Sequence, residues 1–200
     1  MNLWGRQGLV HAEPPYGAGE KTRTLQTCVL SSPPIMKNKL GIKTEKGQLS
    51  EAQGREAIKA FSDAHPSLDY VFTNPKELAV VDGFIVNKHQ NTLYGVVEAK
   101  ARNMTLEKLR GDYGNRWMVS VDKLDRGRLI SEMLAIPFIG ICRLNPDNKF
   151  LVVQLTDKNG KFVVDYEERE VTTQAIVGDI GRKREGNAFI NMNDAKEYNL

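Results

Sequence analysis

Residues 79–102 read AVVDGFIVNKHQNTLYGVVEAKAR, and the polar run Asn87–Asn91 divides this stretch into two apolar segments. The pattern predicts a strand from Leu78 to Val86, a turn, and a second strand from Thr92 to Ala101, close enough to pair as a hairpin. Three ionisable residues interrupt the apolar segments: Asp82 in the first, Glu98 and Lys100 in the second. Glu98 and Lys100 are two positions apart, so both side chains leave the same face of a strand. Taking an unpaired carboxylate or ammonium out of water is expensive, so three such groups in apolar strands need a reason. Each alone has an ordinary reading. Asp82 can be a turn or bulge aspartate beside Gly83, and Glu98 and Lys100 can be the solvated face of an edge strand. Together, on strands that pair, they converge, and converging titratable groups favour a site.

Working outward, Ser50 is an expected N-cap with Gln53 at the capping-box position. Ala57, Ile58, Phe61 and Ala64 then recur at helical spacing, which predicts a helix over 51–64 ended by His65-Pro66. Leu68–Phe72 is a predicted strand, and Asn74-Pro75 a turn. Downstream, GDYGNRW reads as a loop, and a helix is predicted from Val121 to about Leu134, stopped by Pro137. Strands are predicted at Phe138–Leu144, Phe150–Leu155 and Lys161–Tyr166, the last two as a hairpin, with one more at Ala188–Met192. The order is that of a mixed α/β domain, a central mixed β-sheet flanked by helices.

Residues 1–49 hold Pro14-Pro15, Pro33-Pro34 and several glycines without sustained periodicity, and are expected to be an irregular N-terminal arm. Met36 opens an alternative start that would place most of this arm outside the protein. The expected organisation is an arm over 1–49, a domain over 50–166, and a C-terminal extension over 167–200 packed on that domain.

The 200 residues carry a net charge of +3, which permits a nucleic-acid partner without demanding one. The two cysteines, Cys28 and Cys142, form no CxxC or Cys/His cluster, which argues against zinc and fits a reducing, cytoplasmic setting. No apolar run reaches the length of a membrane span, and the N-terminus lacks a signal pattern, so no membrane association is expected.

Two carboxylates and a lysine suit metal-assisted phosphodiester hydrolysis. Carboxylates are hard oxygen ligands for Mg²⁺. A bound metal polarises the phosphate and activates water. A lysine offsets charge that builds on the phosphate oxygens.

Asp82, fifteen intervening residues, then Glu98-Ala99-Lys100 resembles the PD-(D/E)XK nuclease superfamily. The stretches QGREAIKAF, VDGFIV and VVEAKAR look most like its small Holliday-junction-resolvase-like and restriction-endonuclease-like members. The resemblance covers about 50–144 and implies a restriction-endonuclease-like core of helix, three antiparallel strands, helix and strand. It implies Asp82, Glu98, Lys100 and Glu56 as catalytic residues. Glu51 is the alternative to Glu56 on the first helix. Metal ligation would fall to Asp82, Glu98, the backbone carbonyl of Ala99 and Glu56, with Mg²⁺ as cofactor and Mn²⁺ as substitute. A polar or basic residue on the second helix is implied too, Lys123 ahead of Arg126, with Lys123 expected to contact the nucleic acid. Val81 departs from the pattern, standing where the family's proline would be.

Basic residues follow the catalytic strand. Arg102, Lys108, Arg110 and Arg116, with Tyr113 and Trp117, are expected to line a phosphate-tracking groove, or else to be a charged loop with core aromatics. Arg102 shares the face of Lys100 if the strand continues. The run Gly181-Arg182-Lys183-Arg184 either grips phosphate or is a solvated turn. The expected function is a metal-dependent deoxyribonuclease, an endonuclease of phage, mobile-element or repair type acting on DNA, with a homodimer matching two scissile phosphates. The alternatives are a nucleic-acid-binding module and an interaction protein that use the fold without catalysis.

Overall fold

The structure is a computed structural model describing residues 45–74, 79–174 and 182–200. The chain divides into two units, Met1–Asn38 and Lys39–Leu200, and every described residue belongs to the second. The expectations for Cys28, Met36, Leu78 and Gly181 lie outside the described residues.

The elements in chain order are α1 (Glu45–Asp63), β1 (Leu68–Phe72), β2 (Gly83–Asn87), β3 (Thr92–Arg102), α2 (Leu106–Gly111) and β4 (Arg116–Ser120). Then come α3 (Val121–Leu134), β5 (Phe138–Leu144), β6 (Lys149–Thr156), β7 (Tyr166–Gln174), β8 (Arg182–Asn191) and β9 (Lys196–Asn199). A six-stranded sheet runs in the order β1-β2-β3-β5-β6-β9, and a three-stranded sheet in the order β4-β8-β7. The β3–β5 pair is parallel and every other pair is antiparallel. The protein is thus mixed α/β around a central mixed sheet.

Strand alternation distributes the core. On one face Val97, Ala99, Ile139 and Ile141 pack against Ala57, Ile58 and Phe61 of α1. On the other, Val96, Phe138, Cys142 and Leu144 pack against Leu124 of α3 and against Trp117 and Ile190 of the smaller sheet. No helix among the described residues is long and apolar enough to cross a membrane.

Several expectations need correction. The first helix begins at Glu45, so Ser50 lies inside it and does not cap it. Glu45, Gln48 and Leu49 are all good helix formers, and one serine costs little. The expected loop Gly111–Trp117 is shorter than predicted, because helix Leu106–Gly111 takes its first residue and strand Arg116–Ser120 its last two. The Lys161–Tyr166 strand is absent, since only the bridge Thr156↔Phe162 forms there and Tyr166 opens β7. The C-terminal stretch supplies three strands rather than one. β9 extends the main sheet through β6, and β8 is the centre of the smaller sheet.

α3 crosses the main sheet at close range through Gly127. A Cβ built there would run into the Phe138 ring, which is wholly buried. Gly127→Ala should therefore destabilise by about 1–3 kcal/mol through overpacking, although alanine is the better helix former. The urea midpoint of the variant measures this.

Candidate active site

β3 changes partners along its length. Its first half pairs with β2 as far as Gly83↔Val97, and its second half pairs with β5 from Val96↔Phe138 to Arg102↔Leu144. Beyond Val97, β3 therefore keeps β5 on one side, while its β2 side meets the turn that leads into β2. Asp82 occupies that turn. It lies one residue before β2 rather than in mid-strand as expected. Its backbone still continues the ladder, donating to the Val97 carbonyl at 3.0 Å and accepting from the Thr73 N–H at 3.1 Å. Glycine follows at 83 because a Cβ there would lie 2.7 Å from the Val71 carbonyl oxygen. The close approach of β1 thus fixes where the aspartate side chain leaves the chain.

The Asp82 carboxylate accepts the Ala99 N–H through Oδ2 at 2.8 Å. Its Oδ1 lies 3.4 Å from Lys123 Nζ, and the same ammonium lies 3.1 Å from Glu98 Oε2. Lys100 Nζ is 4.0 Å from Glu98 Oε1 on the other side. The structure thus gathers Asp82, Glu98, Lys100 and Lys123 from the turn before β2, from β3 and from the first turn of α3. In an extended strand a residue's carbonyl points to the same side as its N–H. The Ala99 carbonyl is therefore directed toward Asp82. It also lies 3.4 Å from a Cβ built at Gly54 of α1.

Glu98 is only 1 % exposed, whereas the Lys100 side chain is 38 % exposed and that of Lys123 25 %. Glu98 pairs with Gly140 of β5. There the Trp117 ring closes in, 2.6 Å from where a Cβ on Gly140 would stand. Burial, and then the neighbouring charge of Asp82, push the Glu98 carboxyl up to about 7, while Lys123 and Lys100 pull it back. Burial alone would lower the pKa of the Lys123 ammonium. The charges of Glu98 and Asp82, with hydrogen bonds to both, outweigh it and hold that pKa above its ordinary value. Lys123 is therefore charged at neutral pH, and Glu98 is poised between its two forms.

Glu56 is not brought to this group. It stands on α1, across the sheet, and its carboxylate pairs with Arg143. Register places Arg143 on the face of Ile139 and Ile141, opposite Glu98. Arg143 also donates to the Gln53 carbonyl at 3.2 Å, and Asn145 to the Gln53 side chain at 3.0 Å. Glu51 is tied to Arg55, whose guanidinium donates to the Thr73 carbonyl at 2.9 Å, on the strand edge beside Asp82.

The expected DNA contacts are mostly engaged within the chain. Arg102 is partly buried and donates to the Met118 carbonyl of β4, so it binds the two sheets together. Trp117 is 1 % exposed, a core residue and not a stacking platform, whereas Tyr113 is exposed. Arg116 pairs with Glu167 at 3.1 Å and Arg110 with Glu197 at 3.5 Å. Arg126 is bound to Asp122 at 2.8 Å. The buried Cys142 thiol is pushed up to about 12 by burial, so it stays protonated and inert.

Among the described residues no cluster of three or more His, Cys, Asp or Glu is arranged to hold a metal. Two carboxylates and one carbonyl suit a hard cation such as Mg²⁺, which keeps several waters and asks for only one or two carboxylates. They do not suit zinc, which takes three or four protein ligands, mostly nitrogen or sulfur. Comparison with protein-family models, with curated proteins and with solved structures finds no match.

Glutamate in the unfolded chain gives up its proton near 4.5, whereas Glu98 in the folded, metal-free chain keeps it up to about 7. Stability from this group is full below the lower value and is lost as pH rises through the upper one. Between pH 4.5 and 7 in EDTA, stability should fall on the order of 1–3 kcal/mol. Glu98→Gln should flatten that slope, as urea unfolding at several pH values would measure.

Proposed function

We propose that the chain is a metal-dependent deoxyribonuclease that hydrolyses DNA phosphodiester bonds, built on a restriction-endonuclease-like core. The reading rests on one observation: Asp82 and Glu98 share the Lys123 ammonium at the start of β2, with Lys100 beside Glu98. Asp82, Glu98 and the Ala99 carbonyl would hold Mg²⁺ or Mn²⁺. When bound, the ion would polarise the scissile phosphate and supply Lewis-acid activation of water.

The chain's own groups have distinct tasks. The Ala99 N–H fixes the orientation of the Asp82 carboxylate, so that Oδ1 faces the site. Lys100, the more exposed of the two lysines, stands where its charge offsets the negative charge that develops on phosphate oxygens. Burial keeps Glu98 out of water, which strengthens each electrostatic contact it makes. A homodimer would place two such sites against the two strands of a duplex.

The direct test incubates the protein with supercoiled, linear, single-stranded and branched DNA in Mg²⁺, Mn²⁺ or EDTA. Cleavage should require metal, and Lys100→Ala should slow it roughly 100-fold or more. Glu98→Gln should weaken Mn²⁺ binding by at least roughly tenfold, whereas Glu56→Gln should leave it nearly unchanged. Titration calorimetry separates the two.

A second reading is favoured by the ion pairing of Lys123, Arg116 and Arg110 within the chain. In it the carboxylates and lysines are a structural network of a non-catalytic nucleic-acid-binding or interaction protein. It expects no cleavage in either metal.

A further inference from the structure

Lys123 occupies an unfavourable place for a cation. It sits in the first turn of α3, where the helix's own backbone N–H groups present positive charge. The acid next to it does not hold it, because Asp122 is taken by Arg126 at 2.8 Å. What holds it is the pair of carboxylates, one oxygen of Glu98 at 3.1 Å and one of Asp82 at 3.4 Å. Lys100 does not share this position, since it approaches only Glu98, at 4.0 Å. Among the described residues, Lys123 is the cation that touches both carboxylates.

A divalent ion held by Asp82 and Glu98 needs the same oxygen lone pairs and the same space between the two strands. An ammonium and a divalent cation repel strongly at that range, and both cannot be seated there. Lysine is suited to leave. Its charge is a compact head on four flexible methylenes, anchored only at the helix. We propose that Lys123 is an exchangeable counter-ion, which holds Asp82 and Glu98 together in the metal-free protein and is expelled when a divalent metal enters. This rests on the metal-dependent reading of the site. Lys123 then opposes metal binding and stabilises the empty site, so its removal has two effects of opposite sign. Without it, the buried Glu98 faces the like charge of Asp82 with no cation bridging the two.

The experiment compares wild type and Lys123→Met, full chain, stripped with EDTA at pH 8. Mn²⁺ binding is read by electron paramagnetic resonance and folding by thermal melting. Lys123→Met should bind Mn²⁺ roughly tenfold tighter, the scale of one displaced charge contact at a partly exposed position. It should melt lower than wild type in EDTA and gain more from added Mn²⁺. A second measurement uses wild type alone, so it stands even if the variant fails to fold. Acetylation of the Lys123 amine, followed by peptide mass spectrometry, should speed up several-fold on adding Mn²⁺ and slow again when EDTA removes it. Unchanged affinity in Lys123→Met, or acetylation indifferent to Mn²⁺, overturns the proposal while leaving a metal-dependent nuclease standing. Wild type that binds no Mn²⁺ overturns both. Displacement of Lys123 in a protein that cuts no DNA supports this proposal and removes the nuclease reading.

Discussion

Burial of one carboxylate governs the arrangement of this domain. Glu98 is inside the protein, beside a second acid, and the chain meets that cost with geometry. Lys123 must arrive from α3, so α3 must begin directly after β4, where Ser120 turns into the helix. Asp82 must be held to β3 through the Ala99 N–H, so β2 must start one residue later. Gly140 must carry no side chain, so that Trp117 can close over the position opposite Glu98. Each requirement falls on a different element, and satisfying all of them sets the relative placement of β2, β3, β5 and α3.

The parts of this arrangement that follow strand alternation were legible in the sequence. Charges at Asp82, Glu98 and Lys100 stood out against apolar neighbours, and the two-residue spacing of Glu98 and Lys100 put them on one face. The same signal marks Arg143 in FIGICRL, a strand buried at every position. Arg143 accounts for the misplacement of Glu56. The phase of α1 is set by its buried stripe of Gly54, Ala57, Ile58 and Phe61. Glu56 lies about 100° around the helix from Ala57, where its partner is the Arg143 guanidinium on the sheet face that α1 covers, away from Glu98. A capping-box match at Ser50 suggested a later start for the helix, and local cap chemistry cannot reveal that the preceding turn also folds.

The smaller sheet was harder to read for a different reason. β4, RWMVS, does alternate, with Trp117 and Val119 buried and its other residues partly exposed. It was hidden by its brevity and by the Gly and Asn residues before it. β7, YEEREVTTQ, carries almost no apolar alternation. It is a strand because it pairs with β8 from Tyr166↔Ile190 to Gln174↔Arg182, and backbone pairing leaves no mark in composition. Arg102 illustrates the same limit. Its charge suggested a surface contact, yet the approach of β4 turns it inward to the Met118 carbonyl.

The two sheets also share a pattern in time. β6 receives its outer neighbour from Lys196–Asn199, and β4 its one neighbour among the described residues from β8. During synthesis both strands emerge well before these partners, β6 with unpaired N–H and C=O groups along one side and β4 along both. Exposed strand edges of this kind invite pairing with another chain. Between translation of β6 and of β9 the outer side of β6 is open in this way. Ribosome-bound chaperones that cover an open edge would act on it there.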